Sequence, residues 1–267
     1  MNRHPFARPR ALLIASSVAF VGLLLVACGE TEAPVRVVAT ASVVTTTATP
    51  TAAAPAATPT AAAATSCAAY AKAADPFLLR VVDKQRALPS DFTAPDRQLV
   101  DDQWAVPGFP GQSMRAIAVE PMVQMLSAAQ AQGVRIRIKS SYRSYSEQAT
   151  TFQFWVNQLG EAQARRESAT PGNSEHQLGT TADVISANSG TGWELVEQFG
   201  ALPEGKWVAA HAHEFGFAIS YPPDGEAITG YVWEPWHVRY IGKPCAAEWQ
   251  SSGLTLVRFL ERLASAR

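Results

Sequence analysis

The chain has 267 residues, a formal charge of −1, 47% hydrophobic residues and seven tryptophans, enough apolar material for one globular domain with its own core. Its 22 basic residues nearly match its 23 acidic ones. That balance lacks the Lys and Arg excess of a nucleic-acid binder, and no DNA or RNA partner is expected.

Residues 1–28 read as an export segment. Arg3, Arg8 and Arg10 precede an unbroken apolar run from Ala11 to Val26, the layout of a secretory signal. The run ends in Leu25-Val26-Ala27-Cys28, which resembles the bacterial lipobox and implies cleavage before Cys28 with lipid on its sulfur. An uncleaved membrane anchor or an ordinary signal is the other reading, and either exports the chain. Residues 29–66 are expected to form a disordered tether. From Ala39 to Ser66 the chain is almost entirely Ala, Thr and Pro, with no charge and no aromatic, so burial cannot offset the entropy of ordering it. Pro50, Pro55 and Pro59 stiffen it into a spacer.

A folded domain is expected over residues 67–267. Cys67 at its start and Cys245 near its end are an even pair in an oxidising compartment, suited to a disulfide; two separate buried thiols are the alternative. Within the domain, the spacing of Met122, Met125, Leu126 and Ala129 predicts a helix from about Glu120 to Gln132, with Pro121 in its first turn and Gly133 stopping it. Residues 134–139 alternate apolar and basic, as a half-exposed strand does. Ser144 and Glu147 form a capping box for a helix carrying Phe152, Trp155, Val156 and Leu159 before Gly160. Pro203 opens another helix through Trp207, Val208 and His211 toward Gly216. Strands are expected at Thr181 to Ile185, Phe217 to Tyr221 and Val238 to Ile241, and an amphipathic helix at Thr255 to Ala264. This is a mixed α+β pattern without the alternation of a parallel α/β fold.

Two clusters carry chemistry. His176 and Asp183, seven residues apart, flank Gly179, where a turn could fold them together. Glu234-Pro235-Trp236-His237 adds a second imidazole and a carboxylate. Two nitrogens and one oxygen with an open fourth position suit a catalytic zinc, with Glu234 beside the metal rather than on it. The competing reading of each residue by itself is structural: a packed histidine, a capping Asp, a buried Glu–His pair. His211 and His213, two apart on an expected helix, share no face and read as structural.

Taken in order, Ser140-Ser141-Tyr142-Arg143-Ser144 with Gln148, then Ser174-Glu175-His176 with Gly179 and Asp183, then Glu234-Pro235-Trp236-His237, resemble the VanY-type zinc D-alanyl-D-alanine carboxypeptidases, a branch of the LAS-type peptidoglycan peptidases. Asp83 to Arg86, Leu88-Pro89 with Pro95, Gly216-Phe217, Tyr221-Pro222 and Thr229-Gly230 extend the resemblance over roughly Val81 to Leu260. It implies an α+β domain with a central antiparallel sheet flanked by helices, Zn2+ on His176, Asp183 and His237, and Glu234 as acid/base. It also implies that Arg143 faces the substrate, that Ser141, Gln148 and Ser174 contact it, and that Trp236 walls the site. Ser220 departs from the pattern, which commonly has arginine before Tyr-Pro. The implied substrates are peptidoglycan stem peptides ending in D-alanine. A monomer is expected, held outside the cytoplasm by a lipid anchor, with peptidoglycan endopeptidase, D-Ala-D-Ala dipeptidase and a non-catalytic wall-binding lipoprotein as alternatives.

Overall fold

The computed structural model describes residues 66–188 and 195–266; the expected export segment, Cys28 and the tether up to residue 65 lie outside the described residues. In chain order the elements are α1 (Cys67–Ala73), β1 (Arg97–Leu99), β2 (Ser113–Arg115), α2 (Ala116–Ala131), β3 (Ile136–Ser140), α3 (Tyr145–Leu159) and α4 (Glu161–Glu167). There follow β4 (Thr181–Ser186), α5 (Pro203–His211), β5 (Phe217–Ile219), α6 (Glu226–Thr229), β6 (His237–Tyr240), α7 (Lys243–Ser252) and α8 (Leu256–Ser265). Short 3-10 turns join several of them, including Glu175–Leu178 just before β4.

β1 and β2 form a small antiparallel pair, and the central sheet runs β3-β4-β6-β5, antiparallel throughout. This is the expected α+β architecture. The pairing of β4 with β6 sets Asp183 opposite His237 and Thr181 opposite Arg239. Side chains alternate across a strand. Ala182, Val184, Val238 and Tyr240 therefore enter the main core, leaving Asp183, His237 and Arg239 together on the other face. That alternation is what delivers polar groups from two strands to one place.

α2 carries Met122, Met125, Leu126 and Ala129 fully buried, as their spacing predicts. It begins at Ala116, earlier than expected, so Pro121 lies inside the helix. The amide that proline lacks would have served the carbonyl of Ile117. Ile117 is exposed, and water can satisfy that carbonyl. Gly133, at φ 78°, ends the helix in the left-handed conformation that glycine adopts at little cost, and the Val134 amide donates back to Ala129 O at 3.0 Å.

α3 opens with the expected capping box on Ser144 and Glu147. Its apolar residues are only partly covered: Phe152, Trp155 and Val156 are half-buried and Leu159 is exposed. The helix packs against α4, and Trp155 lines a cleft instead of entering the core. α1, the β1–β2 pair, α4, α6 and α7 have no counterpart in the sequence reading. Of these, α1 and α7 lie against each other and are joined by the disulfide between Cys67 and Cys245.

Candidate metal centre and catalytic cleft

The chain from Ser174 to Asp183 shows how local structure builds the site. After the 3-10 turn Glu175–Leu178, Gly179 takes φ 73° and ψ 10°, reversing the chain into β4. A Cβ there would lie 2.7 Å from Ala94 Cβ and 3.0 Å from Arg115 Cγ, so both the conformation and the space call for glycine. The turn brings His176 back beside Asp183, and the sheet brings His237 alongside.

The ligand atoms of His176, Asp183 and His237 lie within 4.8 Å of one another, and all three residues are buried. His176 Nε2 is 3.1 Å from Asp183 Oδ2 and His237 Nδ1 is 3.1 Å from Asp183 Oδ1. Each imidazole is anchored by its outer nitrogen to a group that can only accept. His176 Nδ1 donates to Ser141 O at 2.6 Å, and His237 Nε2 donates to Glu175 Oε2 at 3.1 Å. In a neutral ring that leaves His176 Nε2 and His237 Nδ1 as inward lone pairs. Two such nitrogens and one carboxylate, held by outer hydrogen bonds, fit a divalent metal of the zinc type.

Glu234 Oε2 lies 3.4 Å from His237 Nδ1, beside the three donors. Burial pushes its carboxyl up to about 8, with His237 and Arg143 opposing and Asp183 and Glu175 adding to the rise. Burial by itself would also raise Asp183, but the adjoining His176 and His237 hold it well below the usual carboxylate range. For His237, burial works downward and is outweighed by the hydrogen bonds to Asp183 and Glu175, which raise it to about 10. The metal-free pocket therefore favours positive charge between its carboxylates, where a cation would be held.

Arg143 reaches the same cleft, with Nη2 4.0 Å from Asp183 Oδ2 and a buried Nε that has no hydrogen-bond partner among the described residues. Gln148 is buried and lines the cleft. Its Nε2 donates to Ala169 O at 2.6 Å and Ser168 Oγ at 3.2 Å, while Oε1 has no partner among the described residues. Ser174 and Trp236 also line the cleft. Ser141 does not: its hydroxyl donates to Gln112 Oε1 at 2.8 Å and accepts from the Ser113 amide at 2.9 Å. Its part in the site is the backbone carbonyl that holds His176. His211 pairs with Glu214 at 2.9 Å and stacks on Trp207. Neither His211 nor His213 lines the cleft.

The sequence reading missed several residues. Glu175, inside a quoted motif, is a buried carboxylate bound to Arg239, Ser220 and His237. Gln177 is fully buried and donates to Pro89 O and Phe92 O, both at 3.0 Å, bracing the turn against the chain before β1. Tyr221 packs on the His237 ring at 4.8 Å. The available signal for Glu175 was its place next to His176; its partners lie far along the chain. Ser220, where the sequence departs from the resembling motif, donates to Glu175 Oε2 at 2.5 Å.

Residues 111–243 match the VanY family, described as D-alanyl-D-alanine carboxypeptidase. YodJ of Bacillus subtilis, named as a candidate carboxypeptidase, is 37% identical over 187 residues, covering 70% of this chain and 68% of that protein. Among solved structures, the LdcB LD-carboxypeptidase is 38% identical with a TM-score of 0.61, over 67% of this chain and 84% of that one. A mutant of the vancomycin resistance D,D-pentapeptidase VanY in complex with Zn(II) is 27% identical with a TM-score of 0.58, over 69% of this chain and 99% of that one.

Proposed function

Because this chain belongs to the VanY family of D-alanyl-D-alanine carboxypeptidases, we propose that it is a zinc-dependent D,D-carboxypeptidase that removes the terminal D-alanine from peptidoglycan stem peptides. The observation that carries this reading is the convergence of His176, Asp183 and His237 with Glu234 and Arg143 in one cleft. His176, Asp183 and His237 would hold the metal. A divalent ion bound there supplies Lewis acidity, polarising a carbonyl and bringing the pKa of a water from about 15.7 toward about 7.

The remaining work belongs to the side chains. Glu234, next to the metal donors and not counted among them, accepts the proton of the attacking water as the new C–O bond forms. It then passes that proton to the amine as the C–N bond breaks and D-alanine leaves. Arg143 presents a permanently charged fork toward the same space, suited to the substrate carboxylate or to the oxygen that gains charge. Gln148, whose Oε1 has no partner among the described residues, would contact the substrate. Trp236 and Tyr221 wall the site and limit the water that reaches it.

A second reading has its own support: the 38% identity to an LD-carboxypeptidase favours removal of D-alanine from a preceding L-centre. Digestion of purified muropeptides followed by mass spectrometry separates the readings. Loss of one alanine from pentapeptide stems is expected. Loss of one alanine from tetrapeptide stems alone would favour the L,D reading. Cleavage within the stem or release of a dipeptide would point to an endopeptidase or dipeptidase, and unchanged muropeptides would sink the enzymatic reading. We further propose that Cys28 carries lipid and tethers the domain, residues 67–267, outside the cytoplasm. Among the described residues no helix is long and apolar enough to cross a membrane. Cys28→Ala should abolish labelling by a lipid precursor, and retained labelling would remove the anchor from the proposal.

A further inference from the structure

Beyond the metal donors, the structure holds a second ring of polar groups that converges on one carboxylate. Glu175 is 5% exposed. Its Oε1 accepts from Arg239 Nη1 at 2.6 Å, and its Oε2 accepts from Ser220 Oγ at 2.5 Å and from His237 Nε2 at 3.1 Å. Arg239 is fully buried and is itself held: its other terminal nitrogen donates to Leu78 O at 3.1 Å and to Arg80 O at 2.6 Å. The four residues come from separate places, the turn before β4, the residue just after β5 and two alternate positions of β6. Each donor is aimed at Glu175.

The two imidazoles of the centre are consequently held by different means. His176 rests on a neutral backbone carbonyl; His237 rests on a charged carboxylate that two further donors fix in place. A carboxylate oxygen can only accept, so when the His237 ring is neutral, as a metal ligand must be, the Glu175 contact keeps its one hydrogen on Nε2 and leaves the Nδ1 lone pair facing Asp183 and Glu234. A negative partner on the outer nitrogen also makes the inner one a better electron donor than a carbonyl partner does. We propose that Glu175, locked by Arg239 and Ser220, is a positioning residue that sets the tautomer and ring orientation of His237 and thereby the strength with which the centre holds its metal. This rests on the metal-centre reading above, which concerns the inner donors; the inference concerns the outer ring.

The decisive variant is Glu175→Gln. Arg239 needs an oxygen, so the new amide must turn its oxygen to Arg239 and its NH2 group toward His237 Nε2. That nitrogen would then have to accept, moving the ring's hydrogen to Nδ1 and closing the lone pair to a metal. Zinc affinity of the purified full chain, measured by competition with a chelating dye, should fall at least about 10–100-fold. The visible absorption of the Co(II)-loaded protein should shift, which a purely packing role for Glu175 would not produce. Ser220→Ala, which keeps the charge and the tautomer and removes one hydrogen bond, should weaken zinc binding by less than about tenfold.

Melting of the metal-free proteins controls for folding. If Glu175→Gln does not fold, Glu175→Asp takes its place: it keeps a charge for Arg239 but draws the carboxylate back from His237, and it too should weaken zinc. A folded Glu175 variant that binds zinc within about twofold of the parent, with an unchanged Co(II) spectrum, would overturn the inference and leave the metal centre standing. A parent chain that takes up no zinc would overturn the metal centre and this inference together.

Discussion

Glu234 and His237 stand three residues apart and face the same space, yet the structure gives them different neighbours. His237 touches Asp183 and Glu175 as well as Glu234, so removing Glu234 leaves its ring supported. Glu234→Ala should therefore keep its fold and its zinc while turnover falls by about 10²–10⁴-fold, the usual contribution of a positioned acid/base. His237→Ala should lose zinc and activity together, because two donors hold a metal poorly. Metal analysis, thermal melting and D-alanine release on the two proteins check this. A Glu234→Ala protein with near-parental activity, or one inactive only because it is unfolded, would return the pair to a structural role.

At the scale of the element, α3 is the piece whose stability reads most directly from its residues. The Ser144 side chain accepts from the Glu147 amide at 3.3 Å, and Glu147 Oε2 accepts from the Ser144 amide at 2.8 Å. Ser144→Ala should cost about 1 kcal/mol in urea unfolding. The hydrogen bonds from Ser144, its hydroxyl first and its amide second, hold the Glu147 carboxyl below its ordinary value. A carboxyl lowered on folding adds stability that is full above its unfolded pKa and is lost as pH falls through its folded pKa. The deficit of Glu147→Gln relative to the parent should therefore be largest near neutral pH and shrink in acid; a deficit independent of pH would contradict this account. The same helix carries Gln148 and Trp155 into the cleft, so it both lies against α4 and supplies part of the cleft wall.

For the whole molecule, the covalent tie between α1 and α7 joins residues 178 positions apart. Closing so long a loop restricts the unfolded chain far more than the folded one, and the combined Cys67→Ala and Cys245→Ala protein should lose about 2–4 kcal/mol in urea unfolding. Neither cysteine lines the cleft, so D-alanine release well below the melting temperature should persist. A double variant as stable as the parent would show that packing of α1 on α7 suffices without the bond.

The amino-acid sequence determined the local facts. Gly133, Gly160 and Gly179 mark reversals because the left-handed backbone they adopt strains other residues. Apolar spacing placed α2 and the strands of the sheet, and His176, Asp183, Glu234 and His237 could be singled out because imidazoles and carboxylates, able to hold a metal or move a proton, are chemically distinctive. Periodicity says which residues share a face, but it does not say what the face meets. So the spacing on α3 did not tell that Trp155 would line the cleft, and Pro121, expected in a helix's first turn, lies inside one at an exposed turn. Only the tertiary structure decided the outer ring. Glu175 finds Ser220, His237 and Arg239 at separations of 45, 62 and 64 residues, through the pairing of β4 with β6 and the turn at Gly179. Buried charges gain or lose by the partners that enclose them, and those partners are set by the packed fold, across distances that no local pattern spans.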